Sequence, residues 1–232
     1  MSNYRTVFPR KNTLIAVVHV ENLAQAKRNA AIALNEGADG IFLINHDVEA
    51  LDLIFSYEEI RALYPTLWIG LNFLDLGRSE ALGVLPPDAS GLWVDNAGIF
   101  ETVVYIETAE AEYFSERKKL SQKPFLYFGG VAFKYQALVT DFAAMARASI
   151  PFMDVVTTSG EATGKAADIQ KIKIMKKALG EHPLAVASGI TSENVRTFMP
   201  HVDCFLVATG ISDSHTELNP ARVRELATIV HS

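Results

Sequence analysis

Two turns near the end of the chain carry the residue types that hold phosphate. Leu184-Ala185-Val186-Ala187 runs into Ser188-Gly189-Ile190-Thr191, and Cys204-Phe205-Leu206-Val207 runs into Ala208-Thr209-Gly210-Ile211-Ser212. Each is an apolar, strand-like run followed by a small, hydroxyl-bearing turn. Gly189 would let the backbone come close to an anion. Thr191-Ser192-Glu193-Asn194 reads as a helix start with Thr191 or Ser192 as N-cap, and the free N–H groups and dipole of such a start favour a phosphate. Ser188 belongs to the same turn, and Thr209 and Gly210 would complete the cradle. Ordinary strand-to-helix turns also use glycine and threonine, so these two acquire meaning only from the elements around them.

Those elements repeat. Short apolar runs at Leu14–His19, Gly40–Asn45, Leu67–Asn72, Gly91–Asp95, Pro124–Phe128, Met153–Thr157, Leu184–Ala187 and Cys204–Val207 alternate with longer segments of helical period. The near-continuous apolar character of the runs fits parallel strands buried on both faces. Leu23, Ala26, Ala30, Ala33 and Leu34 share one helical face, as do Ile169, Ile172, Met175 and Leu179, and Val223, Leu226, Ala227 and Val230. Gly37 and Gly180 stand where helix C-caps belong. Eight strand–helix units in 232 residues predict an α/β fold, a single-domain (β/α)8 TIM barrel, with residues 1–12 as an N-terminal arm or plug. An open doubly wound sheet is the competing architecture, and no Gly-x-Gly-x-x-Gly follows the first strand to support it. Asp75–Ser90, with Pro86-Pro87, reads as a broken helix or loop.

In such a barrel the loops after strands seven and eight commonly bind phosphate, and chemistry sits at the C-terminal strand ends. Here those ends are polar. His19 closes strand one and is a candidate acid or base, since its free pKa lies near ~6.5. Asp95, after strand four, is the best placed carboxylate for proton transfer or for holding a ribose hydroxyl. Asn45 and Asn72 can both donate and accept, which suits sugar hydroxyls or a carbonyl. Thr157 and Thr163, at and beyond the end of strand six, are further ligand contacts. The segment Gly160-Glu161-Ala162-Thr163-Gly164-Lys165 is superficially like a P-loop, but three residues rather than four separate its glycines and Ala166 replaces the required Ser or Thr. Lys165 is therefore expected as an anion contact from a closing loop, and less readily as a Schiff-base nucleophile. His46-Asp47 could reach a ligand or a metal, yet a metal site normally needs three converging ligands, and none is expected. His182, His201, His215 and His231 read as loop or surface residues.

A net charge of −6 with no basic block argues against nucleic acid as the partner. The only cysteine, Cys204, lies in an apolar run and reads as an inert core residue. No apolar run approaches the ~18 residues that span a bilayer, and the first residues lack the apolar segment of a secretory signal. The expectation is a soluble, cytoplasmic protein with no membrane partner, free to form a homo-oligomer.

Ile15-Ala16-Val17-Val18-His19, the stretch Asn29–Ile41 and the run from Asp154 to Ile211 together resemble the BtpA/SgcQ family of TIM-barrel proteins. Within the last run, Ala162-Thr163-Gly164-Lys165, Ala187–Val195 and Ala208-Thr209-Gly210 carry most of the similarity. The resemblance implies a ribulose-phosphate-binding type of barrel. Some members are linked to photosystem I biogenesis and others to sugar-related gene contexts, with no established reaction. Where members often have a Pro/Gly-rich stretch after the first-strand histidine, this chain has Val20-Glu21-Asn22. The expected function is binding of a small phosphorylated metabolite, a sugar phosphate or phosphoribosyl compound, with isomerase or lyase chemistry by acid/base catalysis. The alternative is a non-catalytic assembly or regulatory factor that retains the phosphate site. No cofactor is expected, with a divalent metal or FMN on the same cradle as minor alternatives.

Overall fold

The computed structural model describes residues 3–232, so Met1 and Ser2 of the expected arm lie outside the described residues. Eight parallel strands close into a barrel: β1 (Thr13–His19), β2 (Gly40–Ile44), β3 (Ile69–Asn72), β4 (Gly91–Val94), β7 (Leu126–Gly130), β8 (Val155–Ser159), β9 (Leu184–Ala187) and β10 (Cys204–Val207). A small antiparallel hairpin, β5 (Phe100–Glu101) and β6 (Ile106–Glu107), is inserted after β4. Closure comes from β1 pairing with β10, in register from Thr13↔Cys204 to Ala16↔Val207.

Helix α1 (Asn3–Val7) precedes the barrel, and α2 (Leu23–Asn35), α3 (Ala50–Leu63), α4 (Arg78–Val84), α5 (Ala109–Ser121), α6 (Phe142–Ser149), α7 (Ile169–Leu179), α8 (Val195–Phe198) and α9 (Pro220–Val230) follow the strands. All eight expected strands form, and β3, β7 and β8 start two residues later than their apolar runs. The irregular stretch 75–90 contains the short α4, which stops before Pro86. The hairpin was not expected, because strands of two residues leave no period to read.

Alternation sorts the strand residues into two sets. Leu14, Ala16, Val18, Ile41, Leu43, Val156 and Val186 face the helices, and Ile15, Val17, Phe42, Ile44, Trp93, Phe128, Val155, Ala185, Cys204 and Leu206 fill the interior. Phe42 is the hub of that interior. It meets Trp68, Trp93 and Phe128 edge-on, at centroid distances of 5.1, 5.6 and 5.1 Å. Gly70 on β3 leaves room for it, since a Cβ there would lie 2.2 Å from the Phe42 ring. Large rings on β2, β4 and β7 oppose alanines on β9, so the interior tapers open toward β9 at its upper end.

At the N-terminal end, Tyr4 and Phe8 join the interior cluster. The Tyr4 hydroxyl donates to Thr13 Oγ1 at 2.8 Å and to the Asp203 carbonyl at 3.0 Å. Three aspartates each stand one residue before a strand and accept an N–H from its neighbour: Asp39 from Leu14, Asp154 from Tyr127 and Asp203 from Leu184, at 2.8 to 2.9 Å. Each is also paired with a cation: Asp39 with Arg10, Asp154 with Lys118, and Asp203 with Arg5 and Lys176. Charge-assisted bonds of this kind are about twice as strong as neutral ones, and they pin the strand register from below.

Adding one methyl group at the hub should be felt by the whole barrel. Gly70→Ala is expected to lower stability by about 1–3 kcal/mol through overpacking, and Phe42→Ala by about 3–5 kcal/mol through the cavity it leaves. Both are read as a lower urea midpoint with an unchanged slope.

Candidate functional site

The open upper end of the interior is a cavity of about 300 Å³ at the C-terminal ends of the strands. His19 of β1, Trp93 and Asp95 at the end of β4, Ala187-Ser188-Gly189 after β9 and Ala208-Thr209-Gly210 after β10 line it. His46, Lys134, Tyr135, Thr163 and Gly164 reach it from the loops.

His19 is buried, and its Nδ1 lies 3.0 Å from Nε2 and 3.2 Å from Nδ1 of His215. His46 completes a cluster of three imidazoles, with centroids 4.7 Å from His19 and 5.4 Å from His215. Burial, then the neighbouring His46 and His215 and the cation Lys134, holds the His19 pKa down to about 3. The ring is therefore neutral at physiological pH and able to accept a proton. Burial pushes the Asp95 carboxyl up, opposed by the hydrogen bond from Asn72 Nδ2 at 3.1 Å and by Lys134. A neutral imidazole and a carboxyl pushed up by burial thus face one cavity.

Tertiary bonds place these groups. Gln25 and Asn29 are buried on α2, where polar residues are costly unless bonded. Gln25 Nε2 donates to the His19 carbonyl at 3.0 Å and also to the Thr216 carbonyl, and Asn29 ties Thr216 and Leu218. The loop that carries His215 is thus stitched to the helix after β1. Gln136 donates to the Asp95 carbonyl at 2.8 Å, and Ser159 Oγ accepts the Lys134 N–H at 2.8 Å. These bonds hang the loop after β7 over the cavity, where Lys134 Nζ reaches Thr163 Oγ1 at 3.0 Å.

Of the residues expected from the sequence, His19, Asp95, Thr163, Ser188, Gly189, Thr209 and Gly210 are brought together here. Others are placed elsewhere. Lys165 lines a neighbouring groove rather than the cavity, and Lys134 occupies the position expected of it. Asn45 is turned away and braces the next loop, donating to Asp75 at 2.6 Å and accepting from the Leu74 N–H at 2.7 Å. Asn72 acts through Asp95 and does not line the cavity. Thr157 is fully buried in the barrel interior, its hydroxyl without a protein partner.

Thr191 also lies outside the lining, and its N–H is taken by Asn194 Oδ1 at 2.9 Å. The helix that follows, α8, has only four residues, so the expected helix-start field is small. The glycines have a different reason from the expected one. A Cβ on Gly189 would fall 2.1 Å from the Ala166 nitrogen, and one on Gly210 would fall 1.9 Å from the Ile190 carbonyl oxygen. Both are needed because three turns pack backbone to backbone. Ser188 shares the positive φ of this turn, at +83°, a conformation that costs a non-glycine residue about 1–3 kcal/mol.

His215 and Lys134 are the residues that sequence reasoning missed. His215 lies eight residues beyond β10 and is exposed, as a loop residue should be, yet folds back onto His19. Lys134 follows the featureless Gly129-Gly130, and Gln25 and Asn29 on an otherwise apolar helix face were the readable hint of the first loop's tether. Among the described residues no group of three or more His, Cys, Asp or Glu is arranged to hold a metal ion. No helix among the described residues is long and apolar enough to cross a membrane.

The model of the BtpA family matches residues 93–232, more than half of the chain. An uncharacterised protein of Methanocaldococcus jannaschii is 26% identical over 72% of this chain and 66% of its own length. An uncharacterised protein of Pyrococcus abyssi is 33% identical over 34% of this chain and 31% of its own length. The chain therefore spans at most about two-thirds of these relatives. Among solved structures, the fold is similar to (S)-3-O-geranylgeranylglyceryl phosphate synthase of Thermoplasma acidophilum, in complex with sn-glycerol-1-phosphate (TM-score 0.70, 13% identity, 100% of this chain and 99% of that one). It is similar also to phosphoribosyl anthranilate isomerase of Thermus thermophilus (0.65, 14%, 93% and 96%).

The low His19 pKa has a signed consequence. The unfolded chain binds a proton at this residue below about 6.5 and the folded chain only near 3, so stability is full above 6.5 and falls as the pH drops toward 3. His46, also lowered, adds in the same direction, while Asp95, raised, contributes the opposite sign from its unfolded value upward. Urea unfolding of His19→Asn is expected to show a smaller loss between pH 7 and pH 5 than the parent protein. An equal loss would mean that the folded imidazole protonates as readily as the unfolded one.

Proposed function

This chain belongs to the BtpA family, and we propose that it binds a small phosphorylated metabolite at the C-terminal face of the barrel and isomerises or cleaves it by proton transfer. The observation that carries this reading is the single cavity in which the turns after β9 and β10, the cation Lys134, the neutral His19 and the raised Asp95 meet. A phosphate there lies against Ser188-Gly189 and Thr209-Gly210, with Lys134 supplying the charge that the acidic chain otherwise lacks. Lys165, placed in the adjoining groove, is left for a ligand that extends past Thr163.

In the reaction, His19 accepts a proton from the carbon or hydroxyl beside the phosphate-bearing portion, and Asp95, whose carboxyl burial pushes up, delivers one to the oxygen that gains electrons. Asn72 orients the Asp95 carboxyl. The similar fold of a glycerol-1-phosphate complex and of a phosphoribosyl isomerase supports the phosphate part of the reading.

Thermal-shift titration with inorganic phosphate, glycerol phosphates and pentose phosphates tests it. A rise in melting temperature is expected, and Lys134→Ala should weaken binding by about 10–100-fold, the worth of a hydrogen bond to a charged group. With any phosphate that turns over, His19→Ala and Asp95→Asn should each lower kcat by about 10²–10⁴-fold. Turnover untouched by both would remove the proton-transfer roles. Binding without any turnover would favour a non-catalytic factor that keeps the phosphate site.

A further inference from the structure

The space around the site continues beyond Lys134 and Tyr135. The same two residues belong to the wall of a second groove, of about 550 Å³, between the loop after β7 and the loop after β8. One side of this groove is apolar, formed by Phe133, Tyr135, Leu138, Val139 and Phe142. Two of these stand in water, Tyr135 at 81% and Leu138 at 96% exposure.

The other side carries charged residues, two of which are already committed to protein partners. Lys171 Nζ donates to the carbonyls of Ala132 and Ser159 and lies 5.5 Å above the Phe142 ring. Asp168 caps α7 by accepting the Gln170 N–H at 2.9 Å. Glu161 and Lys165 are exposed. On the apolar side, Val139 and Phe142 are half-buried against the core and Tyr135 and Leu138 are open to solvent. Between groove and cavity lies the solvent-exposed bond from the Lys134 ammonium to the Thr163 hydroxyl.

We infer that the ligand of this site is bipartite: its phosphate lies in the cavity at the strand ends, and an apolar chain or ring leaves past Lys134 and Tyr135 to lie along Leu138, Val139 and Phe142. The inference rests on the phosphate reading above and narrows its substrate class to phosphate esters that carry an extended apolar group. Continuity with the cavity selects this occupant, because a groove that shares its wall with a phosphate site receives whatever is attached to the phosphate.

Calorimetric titration of the full chain with methyl, butyl and octyl phosphate, each below its aggregation concentration, tests this. A fully buried methylene multiplies affinity by roughly fourfold, so octyl phosphate, part of whose chain stays in solvent, should bind at least about tenfold tighter than butyl phosphate. The double variant Leu138→Asn/Val139→Thr replaces one exposed side chain and one near-isosteric side chain. It should reduce that advantage by at least about threefold and leave methyl phosphate affinity unchanged. Equal affinities for butyl and octyl phosphate, or an octyl advantage that the double variant retains, would overturn the bipartite ligand while methyl phosphate binding upholds the phosphate site. Failure of all three to bind would overturn both.

Discussion

Pairing of the first strand with the last is the constraint on which the site depends. The ladder from Thr13↔Cys204 to Ala16↔Val207 brings the end of β1 beside the end of β10. Without it His19 would stand at a sheet edge, almost two hundred residues of chain from His215. With it, the two rings meet at hydrogen-bond distance, and the loop after β10 becomes a wall of the cavity. Parallel strands reward such closure because it removes both edges at once, and the three aspartates at the lower strand ends hold the register that closure requires.

The same bonds that close the barrel set its electrostatics. Crowding three imidazoles and one ammonium around a cavity in a chain of net negative charge makes a local site where cations are unwelcome and anions are favoured. His19 is neutral first for its burial and then for that crowding. Asp95 is raised by burial alone, against the pull of Asn72 and Lys134. The pair owes its opposite roles to position rather than to residue type, since both sit at strand ends with nothing in their immediate sequence to distinguish them.

The loops that complete the site are held by polar residues in places where apolar ones would be expected. Gln25 and Asn29 are buried on the inner face of α2, where their amides bond the loop after β10, and Gln25 also bonds the end of β1. Gln136 does the same between the loop after β7 and the end of β4. Asn194 spans Gly189 and Thr191 within the turn after β9. Each of these is a side chain standing in for missing regular structure, tying a cavity wall to the elements that support it.

The barrel was legible in the sequence because its signals are local. Apolar runs, helical periods and glycine after a helix act within a few residues of one another, and they placed eight strands and put His19, Asp95 and the turns after Ala187 and Val207 at one end. The inserted hairpin was not legible, since two-residue strands carry no period. Nor were Lys134 and His215, which lie in loops and reach the cavity only because distant side chains tether those loops. Asn45 shows the converse: a polar residue at a strand end is assigned a direction only by its partners, and Asp75 and the Leu74 N–H turn it away. What the sequence by itself determined is which residues lie at the C-terminal face. Which of them face one another was decided by tertiary structure, because hydrogen bonds between loops far apart in the chain, and the closure that makes them neighbours, have no local sequence signature.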